Sequence, residues 1–119
     1  MDNKNVLAVV NDIFFSAKIS GAAKQAGVNL EYVTIEKTLL EKANANPAMI
    51  ILDLNFAAAR PLELIGKLKS NPATKQIRLL GYLSHVQEDL RRAAVEAGCD
   101  EVMPRSAFSM NLAGIMSAA

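Results

Sequence analysis

The chain has 119 residues, enough for one domain with its own core, and 51% of them are hydrophobic against 21% charged. A net charge of +1 with no basic run argues against a binder of nucleic-acid backbones, and a lone cysteine, Cys99, excludes a disulfide framework or a cysteine metal knuckle. No apolar run approaches the roughly 20 residues that span a bilayer, and the polar start Met1-Asp2-Asn3-Lys4-Asn5 lacks the layout of a signal peptide, so a cytoplasmic protein is expected.

Val6–Val10 is a continuous apolar run rich in valine and predicts a strand buried on both faces. Phe14–Ala26 repeats Phe15, Ile19, Ala22, Ala23 and Ala26 at helical spacing, with Gly27 placed to terminate the helix. Leu30–Ile35 carries β-branched and aromatic residues and predicts a second strand. Thr34–Ala45 holds a short helix through Leu39, Leu40 and Ala43, stopped near Asn46-Pro47. Met49–Leu52 is the third and most apolar strand. Pro61 suits the first position of a helix running to about Lys69, with Leu62, Leu64, Ile65 and Leu68 as its apolar stripe. Ile77–Leu83 predicts a fourth strand, Val86–Ala97 a helix ended by Gly98, Glu101–Met103 a short fifth strand and Ser109–Met116 a last helix.

Strands and helices thus alternate five times, which calls for an α/β fold with a parallel sheet covered on both faces. The expected architecture is a flavodoxin-like, doubly wound, five-stranded sheet of order 2-1-3-4-5 with five helices, spanning residues 1–119 as one domain. In that order strands 1 and 3 flank the crevice, and ligands bind at the carboxyl edge of such sheets. Asp12 follows strand 1 and Asp53 ends strand 3, so the two carboxylates should face each other there. Convergent acids make a site for a hard divalent cation. Asp12 also suits the N-cap of the first helix. Cys99 and the methionines Met49, Met103, Met110 and Met116 are read as packing residues.

With Asp53 at the end of strand 3, the pair Asn11-Asp12 after strand 1, Ser84 after strand 4 and Arg105 after strand 5, the chain resembles the receiver domain of bacterial response regulators. The resemblance is in particular to single-domain receivers of the chemotaxis type, and it extends from Asn5 to about Met116. The resemblance implies two-component signal transduction. Asp53 would be the phosphoacceptor, fed by a sensor histidine kinase or a phosphotransfer protein. Mg²⁺ would be the cofactor, held by Asp12, Asp53 and the backbone carbonyl of Asn55. Ser84 and Arg105 would contact the phosphoryl oxygens, with Asn11 and His85 beside them. Such a domain is not an enzyme in the ordinary sense. The chain ends just after its last helix, so output is expected through a downstream protein on the face of helix 4, strand 5 and helix 5, around Leu90, Arg91, Val102, Met103 and Met110. Neither nucleic acid nor membrane is an expected direct partner.

The chain also departs from the receiver pattern. Asn11 replaces one acid, Arg105 stands where Lys is usual and Ser106 where Pro is usual. Guanidinium is planar and forked where ammonium is a compact point charge. Phe56-Ala57-Ala58-Ala59-Arg60-Pro61 replaces the glycine-assisted turn after the phosphoacceptor, His85 replaces a small residue, and Val102 replaces the switch aromatic on strand 5. A second reading therefore stands beside the first: a pseudo-receiver, an interaction module that keeps the fold without being phosphorylated. A third, a flavodoxin-like cofactor binder, is opposed by Asn11-Asp12-Ile13-Phe14, which is acidic and bulky where a nucleotide phosphate needs backbone N–H groups.

Overall fold

The apolar runs form strands at nearly the expected positions: β1 (Asn5–Val9), β2 (Asn29–Tyr32), β3 (Met49–Asp53), β4 (Arg78–Leu83) and β5 (Glu101–Pro104). The computed structural model describes residues 4–85 and 87–119. The strands pair in parallel throughout, in the order β2-β1-β3-β4-β5. Met49, Ile50, Ile51 and Leu52 are fully buried, as a central strand covered on both faces requires.

The helices are α1 (Ile13–Ala26), α2 (Glu36–Ala43), α3 (Pro61–Ser70), α4 (Glu88–Ala97), α5 (Arg105–Met110) and α6 (Leu112–Ser117). Side chains alternate across the strands and create two cores. On one face Leu7, Val9, Ile50, Leu52, Leu79 and Leu83 meet α2, α3 and α4 through Leu39, Leu64, Ile65, Leu68 and Ala94. On the other, Val6, Ala8, Met49, Ile51, Leu80 and Tyr82 meet α1, α5 and α6 through Phe15, Ile19, Phe108, Ile115 and Met116.

Three boundaries differ from expectation. The last helix, expected as one piece from Ser109, begins at Arg105 and is divided at Asn111, so among the described residues six α-helices replace five. Phe108, fully buried, draws the earlier turn onto the sheet, and Asn111 bonds back to the Ala107 carbonyl with its side-chain amide. The second strand stops at Tyr32 rather than Ile35, since Ile35 is 66% exposed and flanks the start of α2. The fourth helix begins at Glu88; the expected start, Val86, lies outside the described residues. Among the described residues no helix is long and apolar enough to cross a membrane.

Gly98 closes α4 at φ 117°, a backbone angle that L side chains rarely adopt. The stem of Lys69 packs over it, and the Lys69 ammonium donates to the carbonyls of Lys75 and Ile77 and to Asp100. A methyl group at Gly98 would come within 2.7 Å of Lys69 Cγ. Gly66, inside α3, has open space around it. Gly98→Ala should destabilise the fold by about 1–3 kcal/mol, through strained backbone. Gly66→Ala should stabilise it by about 0.5–1 kcal/mol, through helix propensity. Urea unfolding midpoints should therefore move in opposite directions for the two variants.

Candidate functional site

β1 pairs with β3 from Val6↔Met49 to Val9↔Leu52, so both strands deliver their following residues to the same edge of the sheet. Asp12 stands there as the N-cap of α1, at φ −97° and ψ 112°. Its Oδ1 accepts the Phe15 backbone N–H at 3.0 Å, and its Oδ2 accepts from the Arg105 guanidinium. The expected capping role is thus met. The Phe15 N–H and then the Arg105 guanidinium hold the Asp12 carboxyl below its ordinary pKa.

Asp53 ends β3 in partial burial, and its Oδ1 accepts the Asn55 N–H at 2.9 Å. Burial raises its pKa, opposed by that N–H and by Arg105 and reinforced by the negative charge of Asp12. The two acids therefore titrate apart.

Arg105 opens α5 where β5 ends. It pairs with Asp12 across 93 residues of chain and lies over the Phe15 ring, 4.4 Å from the centroid. A planar guanidinium can do both at once. Ser84 follows β4 and is exposed; its hydroxyl lies 3.0 Å from His85 Nδ1 and 3.4 Å from Gln87 Oε1. Ser84 and Arg105 share an open groove of about 430 Å³ with Phe14, Phe15, Lys18, Ser106 and Ser109. Asn11 is exposed between β1 and α1.

The structure therefore brings Asp12, Asp53 and Arg105 within electrostatic reach of one another, with Ser84 lining the rim beside Arg105. His85 is turned to the Ser84 hydroxyl. Of the proposed output face, Leu90, Val102 and Met103 pack partly into the cores, while Met110 is 86% exposed.

One residue carries a second role that the sequence does not announce, and another was not singled out at all. Asn55 was expected to act through its carbonyl, which accepts the Ala57 N–H at 3.0 Å. Its side chain does more: Oδ1 accepts the Ser84 N–H at 2.7 Å and ties the loop after β3 to the loop after β4. A polar residue two positions after a strand-end acid was the available signal. Tyr82 is the other. It is the register partner of Asp53, lies buried between Phe15 and Phe108, and carries the one buried side-chain polar atom without a hydrogen-bond partner among the described residues. The hydroxyl is near enough for Tyr82 and Asp53 to influence each other's ionisation, a weak coupling that stops short of a formed hydrogen bond. Its signal was spacing, since Tyr82 precedes Ser84 by two and shares its face.

The donor set is chemically suited to Mg²⁺: two carboxylates and a carbonyl, all oxygen. Both Asp12 oxygens already accept hydrogen bonds, so a cation at Asp12 would compete with Arg105 for the carboxylate charge. Among the described residues no three His, Cys, Asp or Glu side chains gather as a metal cluster, which leaves Asp12 and Asp53 as the acidic pair.

Linkage follows from the pKa directions. The Asp12 contribution to stability is present above its ordinary value of 3.8 and is lost as pH falls through its lowered one. Asp53 behaves oppositely: its contribution is full below 3.8 and is lost as pH rises through its raised value. Asp53→Asn should therefore be more stable than the parent near neutral pH, and the difference should close as pH falls toward 3.8. Urea melts across that range test this.

No family model matches the chain, and no curated protein does. Solved structures do. A response regulator from Hahella chejuensis superposes with a TM-score of 0.84 at 23% identity, over 96% of this chain and 92% of that one. The phosphorylated cyanobacterial phytochrome response regulator RcpA gives 0.80 at 20%, over 98% and 91%. The receiver domain of the sensor histidine kinase PA1611 from Pseudomonas aeruginosa, with magnesium coordinated in its active-site cleft, gives 0.81 at 11%, over 98% and 97%. The chain has the flavodoxin-like fold of response regulator receiver domains.

Proposed function

We propose that this protein is a receiver in two-component signalling, with Asp53 as a phosphoacceptor supplied by a sensor histidine kinase or a phosphotransfer protein. The observation that carries this reading is the gathering of Asp53, Asp12 and Arg105 at the carboxyl edge of β1, β3 and β5. The bound Mg²⁺ of two-component receivers neutralises charge on the phosphoryl oxygens; here Asp12, Asp53 and the Asn55 carbonyl would hold it. Phosphoryl transfer to a carboxylate depends on positioning and electrostatics more than on covalent help. The Asn55 N–H fixes Asp53 Oδ1, leaving Oδ2 as the attacking oxygen. A new O–P bond forms there as the bond from phosphorus to the donor breaks. Arg105 supplies a permanent cation beside the developing charge once it leaves Asp12, and Ser84 supplies a hydroxyl once it leaves His85 and Gln87. His85 and Asn11 border these groups. The role is that of a cytoplasmic signalling domain, and its downstream partner would bind α4, β5 and α5 around Leu90, Arg91, Val102, Met103 and Met110.

One observation favours the second reading, a module that signals without phosphorylation. Arg105 already neutralises Asp12, so part of the charge that a bound cation would offset is met from within the chain.

Intact-mass spectrometry after incubation with Mg²⁺ and acetyl phosphate decides between them. One phosphoryl adduct, absent in Asp53→Asn, is the expected result. No adduct with acetyl phosphate or with a phosphorylated kinase would leave the interaction module. Arg105→Ala should separate two effects: Mg²⁺ affinity rises several-fold because Asp12 loses its competitor, while phosphoryl uptake slows by about tenfold or more with the loss of a charge-stabilising group. Amide-shift titration and adduct formation rates check the pair.

A further inference from the structure

Phosphoacceptor chemistry leaves Tyr82 unexplained. Its ring is stacked on Phe108 of α5, with centroids 4.8 Å apart and planes 7° from parallel, and is tilted against Phe15 of α1 at 5.1 Å. The side chain is 2% exposed. Phenylalanine would make the same ring contacts. The hydroxyl adds a buried donor with no partner, an arrangement that proteins avoid unless another state satisfies it. Tyr82 and Asp53 are register partners on adjacent strands, so both side chains lie on the α1 and α5 face. The hydrogen bond to Asp53 falls on Oδ1 and leaves Oδ2 open to another donor.

We propose that Tyr82 is a positioning and relay residue: its hydroxyl donates to the oxygens at Asp53 when that side chain is loaded, and its ring carries the adjustment to α5 through Phe108. The inference rests on the phosphoacceptor reading and extends it. A phosphoryl group changes where acceptor oxygens lie around Asp53, and a donor already in the adjacent register position needs only a small ring movement to meet one. Close packing forbids the ring from moving alone. Phe108 covers its face, is itself fully buried, and belongs to a six-residue helix that carries the exposed Met110. A rigid contact thus runs from the site to a surface helix. Val102 on β5 carries no aromatic that could serve the same purpose.

The test is amide NMR on the whole chain with Mg²⁺ and beryllofluoride, a tetrahedral phosphoryl mimic, in wild type, Tyr82→Phe and Phe108→Leu. In wild type, shifts are expected at Asn55 and Ser84 and also along α5 and α6. Tyr82→Phe should keep the first set and lose most of the second, and Phe108→Leu should do the same by breaking the stack. Without the mimic, Tyr82→Phe should melt close to wild type, because the hydroxyl it removes forms no hydrogen bond. Full α5 and α6 shifts in Tyr82→Phe, or a clearly lower melting point without the mimic, would overturn the relay alone. Absence of any shift at Asn55 and Ser84 in wild type would overturn the phosphoacceptor reading and the relay together.

Discussion

Everything at the site depends on β1 lying beside β3. In a parallel sheet ordered β2-β1-β3-β4-β5, the chain leaves these two neighbours toward opposite faces, and a crevice opens between their carboxyl ends. Two acids placed there share a half-buried space. The structure divides their environments: Asp12 gains a backbone N–H and a guanidinium, while Asp53 is penalised mainly by burial. Carboxylates driven apart in this way can take different roles, one holding charge and the other receiving it.

The arginine after β5 completes this arrangement through shape as much as charge. Ammonium would be a point charge over the crevice, whereas guanidinium lies flat on Phe15 while reaching Asp12. Phe15 in turn packs on Tyr82 and Phe108, so the cation sits above an aromatic layer joining α1, β4 and α5. The polar rim and the apolar core are therefore one mechanical unit. The side-chain amide of Asn55 adds a link between the two loops that carry Asp53 and Ser84.

The unfamiliar loop after Asp53 is accommodated without the usual glycine. Ala57–Ala59 form a short 3-10 turn, Arg60 adopts a left-handed conformation at φ 51°, and Pro61 starts α3 with its φ already set. Leu54 folds against Gly81 of β4, where an added Cβ would meet its side chain at 3.0 Å, and its N–H bonds the Tyr82 carbonyl. The backbone on both sides of Asp53 is thereby fixed to β4, which is why the departures in sequence leave the strand-end acid in place.

The sequence by itself determined the strands, most helix boundaries and the sheet order, since each was written as a local period: Met49–Leu52 as an apolar run, Gly27 and Gly98 as helix ends, Pro61 as a helix start. It also determined that Asp12 and Asp53 would follow neighbouring strands at one sheet edge, because alternation of strands and helices leaves few topologies and this one juxtaposes strands 1 and 3. The division of the last helix at Asn111 was not legible, being decided by where Phe108 could be buried. Nor was the partner of Arg105, the second role of Asn55, or the orphaned hydroxyl of Tyr82. Those depend on which distant groups compete for a donor or an acceptor in three dimensions, and long polar side chains have several partners within reach. Periodicity records which face a residue occupies; only the packed structure decides what it meets there.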